Sequence, residues 1–320
     1  MSDYQMFDVN VSKVETITSR VKRFTLVAKT GNALPAFTGG SHIIVQMQDG
    51  EKRYSNAYSL MSSPYDTGSY QIAVRLDELS KGGSQFMHQQ VCEGDTLTVS
   101  TPNNLFGLVD TARKHVLIAG GIGVTPFISH IHELQQQQAD WRLHYCFHDQ
   151  SHNAFQDELN TDALRDHVHF HVSAEGSRLD LSRLFADIEP GTHIYTCGPA
   201  ALNDAVKAAA KQQIASEFLH FEQFALEHKP GAAFTLVLAR SGREFTVPEE
   251  MTILQVIENN RAAKIDCLCR EGVCGTCETA VLEGTVDHRD QYYSDDEKTS
   301  HTSMLVCCSR ASSSRLVLDL

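Results

Sequence analysis

Three cysteines spaced Cys269-x4-Cys274-x2-Cys277 constrain this chain more than any other feature. Four of its nine cysteines fall between Cys267 and Cys277, in the segment CLCREGVCGTC, and two more stand side by side at Cys307 and Cys308. A loop this short can wrap three thiolates around one edge of a metal centre, and a fourth must then come from elsewhere. Gly272 and Gly275 let the loop curl and aim backbone N–H groups at the sulfurs. An x4, x2 spacing with a remote fourth thiolate is the pattern that holds a [2Fe–2S] cluster. Zinc is the competing reading. It usually takes paired C-x2-C knuckles, and here only Cys274 and Cys277 form one. Cys267 is left over, together with one member of the Cys307–Cys308 pair.

Thiols that serve as ligands must stay reduced. The segment Met1 to Asp8 is polar and lacks the basic and apolar regions of a secretory leader. No run of ~18 apolar residues occurs. The expectation is a cytoplasmic protein without a membrane partner, in which clustered cysteines bind metal rather than form disulfides. The net charge of -13 argues against nucleic acid. It suits a basic protein partner or solubility alone.

The flanks of the cysteine loop predict a small β-grasp domain. Phe234–Arg240 and Glu244–Val247 have strand patterns around the turn Ser241-Gly242. Thr252 is placed to cap a helix running to about Asn260, and Glu278–Leu282 and Arg315–Leu318 supply further strands. These residues account for one small domain of a 320-residue chain, so the rest must do something else.

Before about residue 105 the chain is strand-rich. Val9–Val14, Arg23–Ala28, His42–Gln46, Tyr58–Leu60, Gln71–Arg75 and Thr96–Ser100 are short β patterns between turns, as in a barrel or sandwich. Ser80-Lys81-Gly82-Gly83-Ser84 opens a helix over Gln85–Val91, a backbone arrangement suited to a phosphate. From about residue 112 strand and helix alternate. Strands are predicted at His115–Ala119, Arg142–Phe147, His167–Val172 and His193–Cys197, with helices from the Gly120–Pro126 turn to about Gln138, then over Asn153–Leu164, Leu179–Asp187 and Ala200–Lys211. This is a doubly wound parallel pattern, with Gly120–Gly123 and Cys197-Gly198-Pro199 at strand ends where ligands bind. His167, His169 and His171 share one strand face, and an exposed edge strand explains them better than a metal site.

Taken in order, these segments resemble the phthalate dioxygenase reductase family over essentially the whole chain. The resemblance implies a multidomain α+β and α/β fold: a flavin-binding β-barrel over residues 1–107, a doubly wound parallel-sheet NAD-binding domain over 108–226, and a C-terminal β-grasp plant-type ferredoxin domain over 233–320. It implies an NADH-dependent, FMN- and [2Fe–2S]-containing reductase whose partner is a Rieske-type oxygenase. By position, Tyr58 and Ser59 would line the flavin, Ala73, Val74 and Arg75 would offer backbone to its ring edge, and Gly82, Gly83 and Ser84 would take its phosphate. Thr125 and Phe224 would also reach the flavin. Gly121 and Gly123, with Gly198 and Pro199, would form the nicotinamide site, and Cys197 would stand beside the transferring hydride. Cys307 falls in the slot of the fourth cluster ligand, after Cys269, Cys274 and Cys277.

One departure is plain. The family's Arg-x-Tyr-Ser flavin signature is here Asn56-Ala57-Tyr58-Ser59. A neutral amide forfeits the bidentate pairing that an arginine gives a phosphate, and Arg53 or Arg75 is the candidate to compensate. After the second parallel strand comes Phe147-His148-Asp149-Gln150. An acidic residue without a local arginine favours a free ribose hydroxyl, hence NADH over NADPH. Asp287, Asp290, Asp295, Asp296 and Glu297 are candidates to dock a basic patch on the oxygenase, with solvated loop charge as the alternative. A non-catalytic ferredoxin-type carrier is the competing class, and the flavin and NAD segments count against it.

Overall fold

The computed structural model describes residues 4–50, 52–77, 82–224 and 230–320. Met1 to Asp3, Ser80 and Lys81 of the expected phosphate loop, and the expected boundary at 226 lie outside the described residues. The chain divides into two compact units, Gln5–Phe224 and, with the N-terminal residues to Tyr4, Ala225–Leu320.

The first unit begins with strands β1 (Met6–Thr18), β2 (Val21–Ala28), β3 (His42–Asp49), β4 (Lys52–Ser59) and β5 (Tyr70–Arg75), then helix α1 (Gly83–Gln89) and strand β6 (Thr96–Ser100). They form an antiparallel barrel sheet in the order β4-β3-β6-β1-β2-β5. Alternate residues point inward, so Val9 and Val11, Phe24 and Leu26, Ile43 and Val45, and Ile72 and Val74 are all buried in one core. Strand β4 starts six residues before the sequence pattern suggests. Its residues are half-buried and largely polar, so hydrophobic alternation does not mark it. Strands β4 and β5 are the two sheet ends and lie close to each other without pairing.

The unit continues with β7 (Lys114–Gly120), a 3-10 turn over Gly121–Val124, α2 (Thr125–Gln136), β8 (Trp141–Phe147), α3 (Gln156–Leu159), β9 (Val168–Val172), α4 (Leu181–Ala186), β10 (Thr192–Cys197), α5 (Ala200–Ala210) and β11 (Leu219–Glu222). The parallel order is β11-β10-β7-β8-β9. Strand order therefore reverses between β7 and β10, which opens a crevice at their carboxyl ends. The helix expected over Asn153–Leu164 shrinks to the single turn of α3. The Asn153 amide bonds to the Gln150 and Gln156 side chains, and such local bonds compete with helix propagation. Val21, Met61, Ala73 and Phe106 of the barrel share a core with Phe127, Ile131 and Tyr195 of the α/β part.

The second unit contains β12 (Phe234–Leu238), β13 (Arg243–Val247), α6 (Ile253–Asn259), β14 (Glu278–Glu283), β15 (Val286–Asp287), α7 (Asp295–Ser300), β16 (Ser303–Leu305), β17 (Arg310–Ala311) and β18 (Arg315–Leu318). The main sheet runs β13-β12-β18-β14-β16, with β12 and β18 parallel. Helix α6 lays Ile253, Leu254, Val256 and Ile257 on this sheet, and a capping box between Thr252 and Gln255 sets its start. No helix among the described residues is long and apolar enough to cross a membrane.

Candidate functional site

The barrel seam gathers the residues expected at a flavin. Tyr58 and Ser59 end β4, and Ala73, Val74 and Arg75 end β5. Among the described residues strand β5 pairs only with β2, so its other backbone edge faces the seam. The Val74 carbonyl on that strand accepts from His88 Nε2 at 2.8 Å. Ser59 is 5% exposed, and its hydroxyl has no hydrogen-bond partner among the described residues. A buried hydroxyl left in this state costs about 1–3 kcal/mol, which a polar ligand in the seam would relieve. Gly82 and Gly83 start α1 next to β4, and a Cβ on Gly83 would meet Asn56 Oδ1 at 2.0 Å. Asn56 therefore reaches the loop expected to hold the phosphate. Ser84 Oγ accepts from the Asp77 backbone N–H at 3.2 Å. These features fit a flavin: a two-stranded seam, an orphaned hydroxyl, and a backbone cradle with no room for a side chain.

The crevice between β7 and β10 gathers the nicotinamide candidates. Their turns touch through bare backbone, since a Cβ on Gly123 would lie 2.3 Å from the Cys197 carbonyl oxygen. Gly121 opens the turn, and Gly198 and Pro199 face it from the end of β10. Thr125 is buried and donates to the Ile122 carbonyl at 3.1 Å, so its hydroxyl closes the turn locally. Asp149 follows β8, the next strand over, and its carboxylate lies 2.9 Å from His152 Nδ1. Phe224 follows β11 and packs on the core of the first unit.

Cys197 is fully buried, and its sulfur lies 3.7 Å from Glu222 Oε2. The two are register partners on β10 and β11. Burial pushes the Cys197 thiol well above its ordinary range, and the neighbouring Glu222 adds to this. Burial likewise pushes the Glu222 carboxyl up to about 8. Both shifts favour the neutral form. Sequence reasoning passed over Glu222. The one available signal was an acidic residue at the end of a short strand segment, Leu219–Glu222.

In the second unit the loop brings the cysteines together. Cys269, Cys274 and Cys277 are at most 1% exposed and Cys307 is 5% exposed. The Cys274 sulfur accepts from the Cys269 backbone N–H at 3.4 Å, and the Cys269 sulfur from the Glu271 N–H at 3.4 Å. The Cys269 thiol also bonds to the Cys274 sulfur, which pulls Cys274 down to about 5 and pushes Cys269 up. Gly275 has φ +73°, and a Cβ there would lie 2.4 Å from the Tyr292 ring. The Cys308 sulfur points instead to the Leu305 carbonyl at 3.8 Å. Among the described residues, the one group whose donor atoms converge is Cys267, Cys277 and Cys307. Buried thiols in two neighbouring groups, with N–H donors on the sulfurs, fit an iron–sulfur cluster.

His167, His169 and His171 do not converge. His167 stacks on Trp141, and His171 Nε2 lies 3.1 Å from His144 Nδ1. The acidic group divides as well. Asp290 is 4% exposed and accepts from the Tyr293 N–H and the Ser309 hydroxyl, so it is structural and cannot dock a partner. Asp295, Asp296 and Glu297 form the first turn of α7 rather than a loop, and Glu297 completes a capping box with Ser294.

Known proteins match the chain along its whole length. Residues 8–107 match the family described as oxidoreductase FAD-binding domain, and residues 236–312 the 2Fe-2S iron-sulfur cluster binding domain. Residues 100–217 match the N-terminal domain of dimethylamine monooxygenase subunit DmmA-like proteins. The chain is 68% identical to the carnitine monooxygenase reductase subunit of Escherichia coli K12, over 100% of both chains. It is 35% identical to the phthalate dioxygenase reductase of Burkholderia cepacia, covering 98% of this chain and 97% of that one. A solved structure of phthalate dioxygenase reductase, described as modular for electron transfer from pyridine nucleotides to [2Fe–2S], superposes with a TM-score of 0.76 at 35% identity, covering 98% of each chain.

Proposed function

The chain belongs to the phthalate dioxygenase reductase family, and on that premise we propose that it is the NADH-dependent reductase subunit of a two-component carnitine monooxygenase. It is an oxidoreductase with flavin-binding and [2Fe–2S] domains. Its partner is a Rieske-type oxygenase that converts carnitine to trimethylamine and malic semialdehyde. The observation that carries this reading is full-length identity of 68% to a carnitine monooxygenase reductase subunit.

The flavin and cluster, when bound, turn a two-electron donor into single electrons. The chain's own residues bind and orient. Cys269, Cys274, Cys277 and Cys307 are the proposed cluster ligands. FMN is the proposed flavin, with Gly82, Gly83 and Ser84 at its phosphate and Tyr58, Ser59 and the backbone of Ala73 to Arg75 along its ring. Gly121, Gly123, Gly198 and Pro199 leave room for the nicotinamide, and buried Cys197 with neutral Glu222 forms the polar floor beside it. A neutral floor suits a ring whose charge changes during hydride transfer, because a fixed charge there would favour one redox state. Asp149 supports NADH, since no arginine stands in Phe147–Gln150.

The test pairs the purified chain with the carnitine oxygenase subunit and follows trimethylamine release. Release that requires this chain and NADH is expected. No trimethylamine release, with formaldehyde formed when a vanillate oxygenase is supplied with vanillate instead, would redirect the reading to another Rieske system. Flavin extracted from the protein is expected to be FMN, and FAD would overturn that part. A higher kcat/KM with NADPH would overturn the assignment to NADH.

A further inference from the structure

We propose that Cys267 is a reserve ligand at the iron held by Cys277 and Cys307, able to take the place of either thiolate. The inference rests on the [2Fe–2S] reading above and deepens it. A two-iron cluster needs two thiolates on each iron. The sulfurs of the loop sort into two groups. Cys269 and Cys274 contact each other through the bond from the Cys269 N–H to the Cys274 sulfur at 3.4 Å. Cys267, Cys277 and Cys307 form the other group, with all three sulfurs within 4.8 Å of one another. The second group therefore offers three thiols for two coordination positions.

The spare thiol is close enough to serve. Two thiolates on one tetrahedral metal lie about 3.8 Å apart when each metal–sulfur bond is about 2.3 Å. The three sulfurs lie within 4.8 Å of one another, which exceeds that spacing by at most about 1 Å. Its backbone is held at the loop, since the Leu268 N–H donates to Thr276 Oγ1 at 2.9 Å. Its side chain is only half-buried, so it retains freedom to turn. Arg270, clamped by Glu258 at 2.5 Å, places a positive charge near both Cys267 and Cys307. Cys308 neighbours the Cys307 thiol and lies 3.8 Å from the Leu305 carbonyl, but it is not one of the three converging sulfurs. The exchange is redox-neutral. The bond from iron to the departing sulfur is lost, the Cys267 thiol gives its proton to solvent, and a new iron–sulfur bond forms.

The experiment uses the full chain with alanine rather than serine at each ligand, since a serine oxygen can itself bind iron. Wild type, Cys267→Ala, Cys269→Ala, Cys277→Ala, Cys307→Ala and the two doubles that add Cys267→Ala to Cys277→Ala or Cys307→Ala are compared. Iron and sulfide per chain, visible absorption and the EPR spectrum of the reduced protein are measured, with flavin content as the check on folding. Cys267→Ala is expected to keep the full cluster. Cys277→Ala or Cys307→Ala should keep most of the iron with an altered EPR spectrum. Adding Cys267→Ala should cut that iron by tenfold or more, to the level of Cys269→Ala. Where a variant loses its cluster during expression, reconstitution with iron and sulfide repeats the measurement. Cys277→Ala and Cys307→Ala both as empty as Cys269→Ala after reconstitution would overturn the proposal, as would retention that does not depend on Cys267. A wild type without a cluster would overturn the cluster reading itself, and the proposal with it.

Discussion

Cys197 and Glu222 face each other across β10 and β11, with the sulfur of the fully buried Cys197 donating to Oε2 of the half-buried Glu222 at 3.7 Å. The Glu222 carboxyl has its pKa raised by burial from 4.5 to about 8. Folding therefore favours the protonated form. That contribution is complete below 4.5 and is lost as pH rises to about 8. Wild type should lose thermal stability across this window relative to Glu222→Gln, which keeps the shape and cannot ionise. Melting temperatures of the two proteins at several pH values check this. Parallel curves would show that Glu222 is already ionised in the fold.

The same pair predicts a kinetic split. Cys197→Ala removes the sulfur beside the proposed nicotinamide position but leaves the glycine turns intact. Flavin reduction by NADH, followed by stopped flow, is expected to slow by tenfold or more while the NADH dissociation constant stays within about threefold, which is under ~1 kcal/mol. An unchanged rate would mark Cys197 as ordinary packing.

What the sequence made legible was local. The cysteine spacing, the Thr252 cap and the bounds of β18 all lie within a few consecutive residues, and the structure has the Thr252 capping box and a strand at Arg315–Leu318. Glu222 was not legible because its significance comes from Cys197, 25 residues away across a parallel pair. Asp290 read as surface charge because its partners Ser309 and Tyr293 assemble only when the loop folds. Cys267 was left over for the same reason, since spacing cannot say where a side chain points. Strand β4 escaped hydrophobic periodicity because a sheet-end strand lining a seam is half-buried along most of its length.

Asn56 offers a gain-of-function test. Its side chain already overlies Gly83, so Asn56→Arg would bring a guanidinium to the proposed phosphate loop. A charge-assisted bond is worth about 1.5–3 kcal/mol, so FMN binding should tighten by about tenfold or more. Fluorescence titration of the flavin-stripped protein measures it. No tightening would place the phosphate elsewhere.

Gly275 carries two constraints at once, a φ of +73° and the Tyr292 ring 2.4 Å from any Cβ. Gly275→Ala would cost about 1–2 kcal/mol in backbone conformation alone, and the ring contact adds to it. The loop would open where Cys274 and Cys277 must converge. Iron per chain should fall well below wild type while flavin content is unchanged. Full iron occupancy would show that the loop tolerates the displacement.

The acidic residues of α7 have a local role that must be separated from any docking role. Asp295 and Asp296 sit in the first turn, where they complement the helix dipole, and both are exposed. Exposed charge attracts a basic partner over about 8–10 Å at ordinary ionic strength. If these residues dock the oxygenase, electron delivery to it should fall as salt rises, and Asp295→Asn with Asp296→Asn should flatten that dependence. Reduction of ferricyanide by NADH, which needs no docking, should be nearly unchanged in the double variant. A helix-only role predicts the opposite pattern: a lower melting temperature, with the salt dependence of electron delivery retained.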